Sequence, residues 1–403
     1  LVISPDGTTL LIDAGAAGSA GADSVLALLE RVIPDGEIDY MVATHWDGDH
    51  SQGLEDIATY NSGQYFPSTI FDLGGSGGPS YDTAFAGIRT TPSVGDEIEL
   101  GGGCTALFVS VDGYQLGGYV DPEGDANARS IGLLIRYGGF DYLTLGDLTG
   151  PSLYHPDLET PLGEALADAG YHIDVLHVSH HGSGYSTGNE FVAEILPEYA
   201  VISCGNNNSY GHPAQSVLNR LNGLTWDGDP YWNPYPPVRT IYTLEEGDPD
   251  TGGTAENVRV VGNGSSYNPY QQGSLEITVG GGGSWYTFAS EGPNTNTVFD
   301  GPYLSDEGPL PPGVNVVINQ VCPFSSPGEF VELYNSGSFP VSLEGWTLDV
   351  YSTEHTFTAS DLIPPRGYYL ISDTNPVAGV TADVTASLTI TDNGANSFAR
   401  LLD

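Results

Sequence analysis

The sequence predicts a two-part protein: an α/β layered domain over residues 1–290, a linker over 291–313, and an all-β sandwich of roughly Ig size over 314–403. Three observations carry this. Apolar strands alternate with helices through the first part, the pattern of a layered α/β domain. The linker is rich in Pro and Gly and has no hydrophobic period. Beyond it, short alternating strands recur between turns with no helix candidate. At 403 residues the chain is also long for a single core.

Residues 1–15 read as a hairpin, with Leu1-Val2-Ile3 and Thr8 to Ile12 flanking a Pro5-Asp6-Gly7 turn. Asp13 closes its second strand. A helix follows at Ser24 to Val32, because Val25, Leu28, Leu29 and Val32 share one face; Pro34 ends it. Ile38 to Ala43 is a short buried strand and Ser51 to Tyr60 a helix. Residues 62–103, rich in Gly, Ser, Pro and Tyr, read as loops with short strands such as Glu97 to Leu100. Thr105 to Val111 is a strand and Gly113 to Ala128 a polar loop. Ser130 to Arg136 and Phe140 to Leu145 pair around Tyr137-Gly138-Gly139. The helices Leu162 to Ala169 and Phe191 to Leu196 alternate with the strands Ile173 to Val178 and Ala200 to Ser203. Val238 to Thr243 and Ser274 to Val279 read as closing strands. In the tail, Val316 to Asn319, Glu329 to Tyr334, Trp346 to Val350 and Tyr368 to Ser372 read as strands.

The chemistry gathers at strand ends. His45-Trp46-Asp47-Gly48-Asp49-His50 places four metal-capable side chains in six residues where a strand meets a helix. An extended backbone would aim His45, Asp47 and Asp49 to one side, with His50 brought round by the helix start. Imidazole and carboxylate are ligands that zinc, manganese and iron accept, and an exposed acidic loop is the bland alternative. Asp147 follows one later strand, Ser179-His180-His181-Gly182-Ser183 the next, and Tyr210-Gly211-His212-Pro213 a third. Within the pair, one ring reads as a ligand and the other as a substrate contact or a structural neighbour; His180 is favoured as ligand because it continues the strand. His212, held extended by Pro213, suits a ligand or a proton donor. His155, His172 and His177 fit no motif and read as structural; His355 reads as a solvated surface residue. Asp125 and Glu123 read as members of an ordinary acidic loop.

Charge is the unusual bulk property. Asp and Glu total 52 against 9 basic residues, all Arg, for a net charge of −43, yet hydrophobic content is 39%, which excludes a disordered acidic polymer. Such a surface repels itself in dilute buffer and is relieved by salt or bound cations. A halophilic source, or an extracellular protein holding calcium in its Asp/Gly loops, accounts for it. Cys104, Cys204 and Cys322 have no CxxC spacing and allow at most one bridge. No stretch approaches a membrane span, and without an initiator Met or a signal pattern the chain reads as a mature or trimmed product.

Residues 1 to about 290 resemble the metallo-β-lactamase superfamily, specifically the hydrolase domain of ComEC-type competence (DNA-uptake) proteins. The resemblance is carried by Leu11-Ile12-Asp13-Ala14-Gly15, the His45–His50 stretch, Asn127-Ala128-Arg129-Ser130, Leu145-Gly146-Asp147, His180-His181-Gly182-Ser183 and Tyr210-Gly211-His212-Pro213. It implies an αββα sandwich with one or two metal ions at the sheet rim. His45 and Asp47 would serve a first ion, Asp49 and His50 a second, with Asp147 bridging and a late histidine, His180, completing the second. Asp49 and His212 would serve catalysis; His181, Ser183, Asn127 and Ser130 would meet substrate, and Asp13 would support the ligands. Asp47 stands where the superfamily usually has His, and no histidine lies between His50 and His155. Asn127 or Ser130 takes that place, which leaves the first site short of nitrogen and open to a harder ion such as manganese. The tail resembles the lamin-tail domain, an Ig-like sandwich, through Val316 to Val321, Gly328 to Gly337 and Leu343 to Leu348, which implies binding or tethering to a cell surface or matrix.

The expected function is therefore that of a secreted or surface metal-dependent hydrolase, with zinc or manganese, acting on a phosphodiester such as nucleic acid. A lactone or ester hydrolase, and a surface scaffold that has kept the fold without the chemistry, are the rival readings. Against the scaffold stands the retention of mutually repelling carboxylates beside His45 and His50.

Overall fold

A computed structural model describes residues 1–18, 21–34, 36–206, 208–223, 235, 237–247, 253–255, 257–262, 274–291, 295–305, 316–322, 329–335, 341–350, 353–358, 360–364, 367–373, 382–386, 388 and 399–402. The chain divides into two compact units, Leu1–Ser305 and Asp306–Asp403. Of the expected linker, 292–294 and 306–313 lie outside the described residues, as do Gly328, Ser336 and Gly337 of the tail motif and Asn207.

The first sheet grows from the opening hairpin. β1 (Val2–Ile3) pairs antiparallel with β2 (Thr9–Ile12); β3 (Tyr40–Val42), β4 (Thr69–Phe71) and β5 (Arg89–Thr90) then add in parallel. Helices α1 (Ala22–Val32), α2 (Gly48–Thr59) and α3 (Pro79–Ala84) precede or follow these strands. Neighbouring strand residues face opposite ways, so Leu11 and Met41 pack with Leu29, Leu54 and Ile57 of the helices while Leu10 and Val42 face the second sheet.

That second sheet contains β6 (Glu97–Gly101), β7 (Cys104–Val111), the short hairpin β8 (Tyr114–Gln115) and β9 (Gly118–Tyr119), β10 (Gly132–Tyr137) and β11 (Phe140–Thr144). It continues in parallel from β11 through β12 (Val175–His177), β13 (Tyr199–Ile202), β14 (Thr240–Thr243) and β15 (Val258–Val260). Leu133 and Ile135 meet Leu10 and Val42 between the sheets. Leu134, Leu143 and Leu176 face outward onto α4 (Glu159–Asp168), α5 (Asn189–Ile195) and α6 (Gln215–Leu221), through Leu162, Phe191 and Leu218. Two sheets thus lie between two helix layers. Burial drives the order: a fully buried leucine such as Leu54 contributes about 2–5 kcal/mol against alanine.

Several elements differ from the sequence reading. The helix read from Ser51 begins at Gly48, so Asp49 lies in its first turn rather than on extended backbone, and His50 is turned by the helix start as expected. Residues 62–103 supply β4 and β5, too short to show a period, the expected strand at Glu97–Gly101, and α3. The polar loop 113–128 contains the β8–β9 hairpin, and α6 and β15 were not anticipated. Ser274–Gly280 does not close the main sheet: as β16 it pairs with β17 (Trp285–Glu291), which pairs with β18 (Phe299–Leu304). β18 occupies part of the expected linker, and Tyr286 and Phe288 pack against Tyr199 and Tyr242, which is why this segment is ordered into strand. All three cysteines are free. Among the described residues no helix is long and apolar enough to cross a membrane.

The second unit, among its described residues, is all strand. Val316–Cys322, Phe330–Asn335, Tyr368–Ser372 and Val384–Thr385 form one sheet; Thr353–Thr356, Thr347–Val350 and Ala399–Leu402 form another. Val331, Leu333, Leu348, Val350 and Ile371 fill its core. His355, expected in solvent, is half-buried with its ring edge-on to Phe357, because alternation along its strand places its neighbour ring beside the core.

Candidate metal centre

The C-terminal ends of β2, β3, β11, β12 and β13 meet at one rim, where ligands of open α/β sheets commonly bind. Asp13, His45, Asp147, the His180-His181 pair and His212 all follow these ends. The α2 helix seats directly on the Asp13–Gly15 turn: a Cβ at Gly53 would lie 2.2 Å from the Ala14 carbonyl oxygen. That close approach lets the Ala14 N–H donate to the His50 carbonyl at 3.1 Å and sets His50 beside Asp13.

Hydrogen bonds settle how the imidazoles point. His50 Nδ1–H donates to Asp13 Oδ2 at 2.7 Å, and His181 Nδ1–H donates to the Ser203 carbonyl at 2.8 Å. The Thr44 hydroxyl donates to Asp13 at 2.7 Å, so its oxygen can only accept from His45 Nδ1–H, 3.1 Å away. With tautomers assigned from these partners, each of the three rings turns an Nε2 lone pair inward. Nε2 of His50 and Nε2 of His181 are 3.2 Å apart. His50 Nε2 is 3.2 Å from Asp147 Oδ1, and His45 Nε2 is buried without a hydrogen-bond partner.

Two overlapping groups could each hold an ion: His45, His50 and Asp147, and Asp49, His50 and His181. Among the described residues no such group lies elsewhere, including the Asp/Gly loops offered for calcium. Asp47, half-exposed, stands 3.9 Å from His45. His181 Nε2 lies 3.5 Å from Asp49 and 3.7 Å from Asp147. His180 Nε2 also lies 3.7 Å from Asp147, with Asn127 Nδ2 at 3.4 Å. Both members of the pair therefore reach the cluster, because both sit in the left-handed region (φ 53° and 54°), a conformation costing on the order of 1 kcal/mol or more each. Strand alternation does not apply to such a turn.

The remaining assignments separate. Ser130 is fully buried, accepts from the Asp147 N–H at 3.1 Å and lies 3.4 Å from His45 Nδ1, so it holds ligands and is closed to substrate. Ser183 is likewise buried, its hydroxyl facing the Tyr185 N–H. His212 has its ring 5.9 Å from His180 and lines a cleft of about 1100 Å³ shared with Asp13, Asp49, His50, Asp147 and His181. His177 is held between Thr144 and Ser203 hydroxyls, and His155 pairs with Asp125, whose other oxygen accepts from the Asn127 N–H at 2.9 Å. His172 precedes β12 at the end opposite the rim. Thr44, Ser203 and Gly53 were not singled out from sequence; only Thr44, beside His45 in the motif, carried a local signal.

Electrostatics follow the contacts. The hydrogen bond from His181 holds Asp49 down to about 2. Burial pushes Asp147 up, but hydrogen bonding and charge from His50, with His181 and His180, outweigh it and keep it below the usual carboxylate range. For His50, burial is outweighed by Asp13 and Asp147, so its value is raised; His181 is raised against burial by Asp49 and Asp147. Burial lowers His45 and His180, and lowers His212 to about 4.

Residues 309–403 match the family model described as Lamin Tail Domain. The "ComE operon protein 3" of Bacillus subtilis is 27% identical over 185 residues, 46% of this chain and 22% of that protein. The "Competence protein ComA" of Neisseria gonorrhoeae is 27% identical over 219 residues, 53% of this chain and 26% of that protein. The chain thus spans about a quarter of the length of these relatives. Among solved structures, Zn(2+)-bound PqqB from Methylobacterium extorquens is 17% identical with a TM-score of 0.32, covering 49% of this chain and 73% of its own. A metallo-β-lactamase from Hirschia baltica is 14% identical with a TM-score of 0.24, covering 40% and 68%. The first unit is a sandwich of two sheets between two helix layers whose sequence is similar to these competence proteins, and residues 309–403 match the lamin tail domain.

Proposed function

We propose that the first unit is a metal-dependent phosphodiesterase acting on nucleic acid. One observation carries the metal: two Nε2 lone pairs face each other at 3.2 Å while both Nδ1–H groups are engaged by Asp13 and Ser203. Asp13, Asp49 and Asp147 favour protons on these two rings, and a cation among Asp49, His50, Asp147 and His181 would take the place of those protons. The nitrogen and carboxylate donors suit zinc or manganese. When bound, such an ion supplies hydroxide near neutral pH and takes up charge developing on a phosphoryl oxygen. Asp13 and Ser203 keep the imidazoles facing inward. Asp49, exposed at the cleft, stays ionised and can orient the attacking water, and His212, neutral near pH 7, can hydrogen-bond the leaving oxygen.

The substrate class is supported by the competence protein among the relatives. An extracellular or cell-surface location is supported by the −43 charge, and a tethering role for the second unit by its lamin-tail match. A neutral ester or lactone is the second reading, favoured by the apolar part of the cleft wall at Val2, Ile12, Tyr142 and Ile277. The test compares single- and double-stranded DNA, RNA, bis-p-nitrophenyl phosphate and a neutral lactone in molar salt, with zinc and with manganese. Diester turnover that follows metal loading is expected, and lactone hydrolysis exceeding every diester would overturn the reading. With no Lys and nine Arg to release counterions, KM for DNA should fall as salt rises.

A further inference from the structure

Two chains of side-chain contacts lead from exposed tyrosines to His180. Tyr210 is 82% exposed, lines the cleft, and stacks at 5.8 Å and 20° on His212, whose ring is 5.9 Å from His180. Along the second, Tyr185, 44% exposed and only four residues beyond His181, packs at 4.9 Å on His155 and at 6.1 Å edge-on to Tyr154, itself 77% exposed. His155 leads back to the metal centre through Asp125 and Asn127 to His180. Two exposed aromatic platforms are therefore each packed on a histidine ring that connects to His180.

The geometry points to single-stranded nucleic acid as the substrate class, with bases stacked on Tyr210 and on the Tyr185–Tyr154 pair while the intervening phosphate reaches the metal centre. This rests on the phosphodiester reading. Its physical basis is the charge balance: nine Arg and no Lys in a chain of net charge −43 offer no cationic track for a phosphate backbone. Stacking needs no positive charge, tolerates any base sequence and survives salt. A duplex interior keeps its bases stacked on one another and cannot use these rings, so the platforms select an unpaired strand.

The test uses the full chain loaded with manganese in 1 M salt, with fluorescein-labelled phosphorothioate oligothymidylate and a matched phosphorothioate duplex, read by anisotropy. The single strand should bind at least ten-fold tighter than the duplex. Tyr210→Ala and Tyr185→Ala should each weaken it by roughly five- to a hundred-fold, the range for loss of one stacked base, and Tyr210→Trp should restore it. Unchanged metal content and circular dichroism identify the loss as one of stacking. Equal binding of both probes, or alanine variants within two-fold of the parent, overturns the inference. Turnover of unmodified DNA separates the two readings: hydrolysis with indifferent tyrosines sinks the stacking alone, and tyrosine-dependent binding without hydrolysis sinks the nuclease alone.

Discussion

The rim of the first unit and the core of the second treat buried polar groups in opposite ways. In the tail, Asn335 is fully buried and its side-chain amide donates to the Ile363 and Pro364 carbonyls, while its backbone N–H donates to Gly367. At the rim, His45 Nε2, Asn127 Oδ1 and His212 Nδ1 are buried with no hydrogen-bond partner, and two adjacent histidines sit in the left-handed region. A buried group without a partner costs about 1–3 kcal/mol. Among the described residues of the tail, the unpartnered His355 Nε2 has no other such atom aimed at it, whereas at the rim the unpartnered atoms gather around one cleft, as a shared ligand would require.

That contrast is most strongly tested by removing its centre. His50→Ala and Asp147→Asn should each lower diester turnover by on the order of 1000-fold or more while circular dichroism stays native, since both side chains face a cleft rather than the apolar core. Asn335→Ala should do the reverse, costing about 1–3 kcal/mol of tail stability with turnover intact. Retained turnover in either rim variant would end the assignment.

Next in size is the pH dependence of metal binding. In the metal-free protein His50 and His181 titrate above 6.5, so near neutrality they hold protons that an ion must displace. Metal affinity should therefore weaken as pH falls, by up to about a hundred-fold per unit if both protons leave together, with matching proton release into weak buffer. A pH-independent affinity between pH 5.5 and 7.5 would show that these imidazoles are not ligands.

Glu159 gives a buried group away from the metal. Burial raises it from 4.5 to about 7, with one oxygen accepting from the Gly188 N–H at 2.9 Å. Because the folded value lies above the unfolded one, its contribution is fully present below pH 4.5 and is lost as pH rises through about 7. Glu159→Gln should remove that loss and raise stability above pH 7 by up to about 3 kcal/mol, measured by denaturant unfolding. Gly53→Ala should cost about 1–3 kcal/mol and weaken metal binding by forcing α2 off the Asp13 turn. The smallest effect concerns the second unit: removing residues 306–403 should leave turnover of bis-p-nitrophenyl phosphate within two-fold, and a fragment unable to fold would show that the two units share a core.

Much of this site is readable in the chain because its parts are local. The His45–His50 cluster is contiguous, and Asp147 and the histidine pair each end an apolar run long enough to be seen as a strand. What escapes is short or non-local. β4 and β5 contain three and two residues, too few for a period to register. α6 has seven residues and follows an irregular loop. The tautomer of His181 depends on Ser203, 22 positions away, which no local pattern announces.

The sequence by itself determined the two-unit division in outline, the alternation of strands and helices, the acidic composition, and the residue types gathered at the rim, because these follow from composition and from periods of two and 3.6 residues. The tertiary structure alone decided that Asp49 and His50 share a helix turn, that His180 and His181 both reach Asp147, that Ser130 is buried behind His45 and Asp147, and that exposed tyrosines connect to His180 through histidine rings. Each of these depends on backbone torsion or on contacts between segments far apart in the chain, where packing overrides local preference.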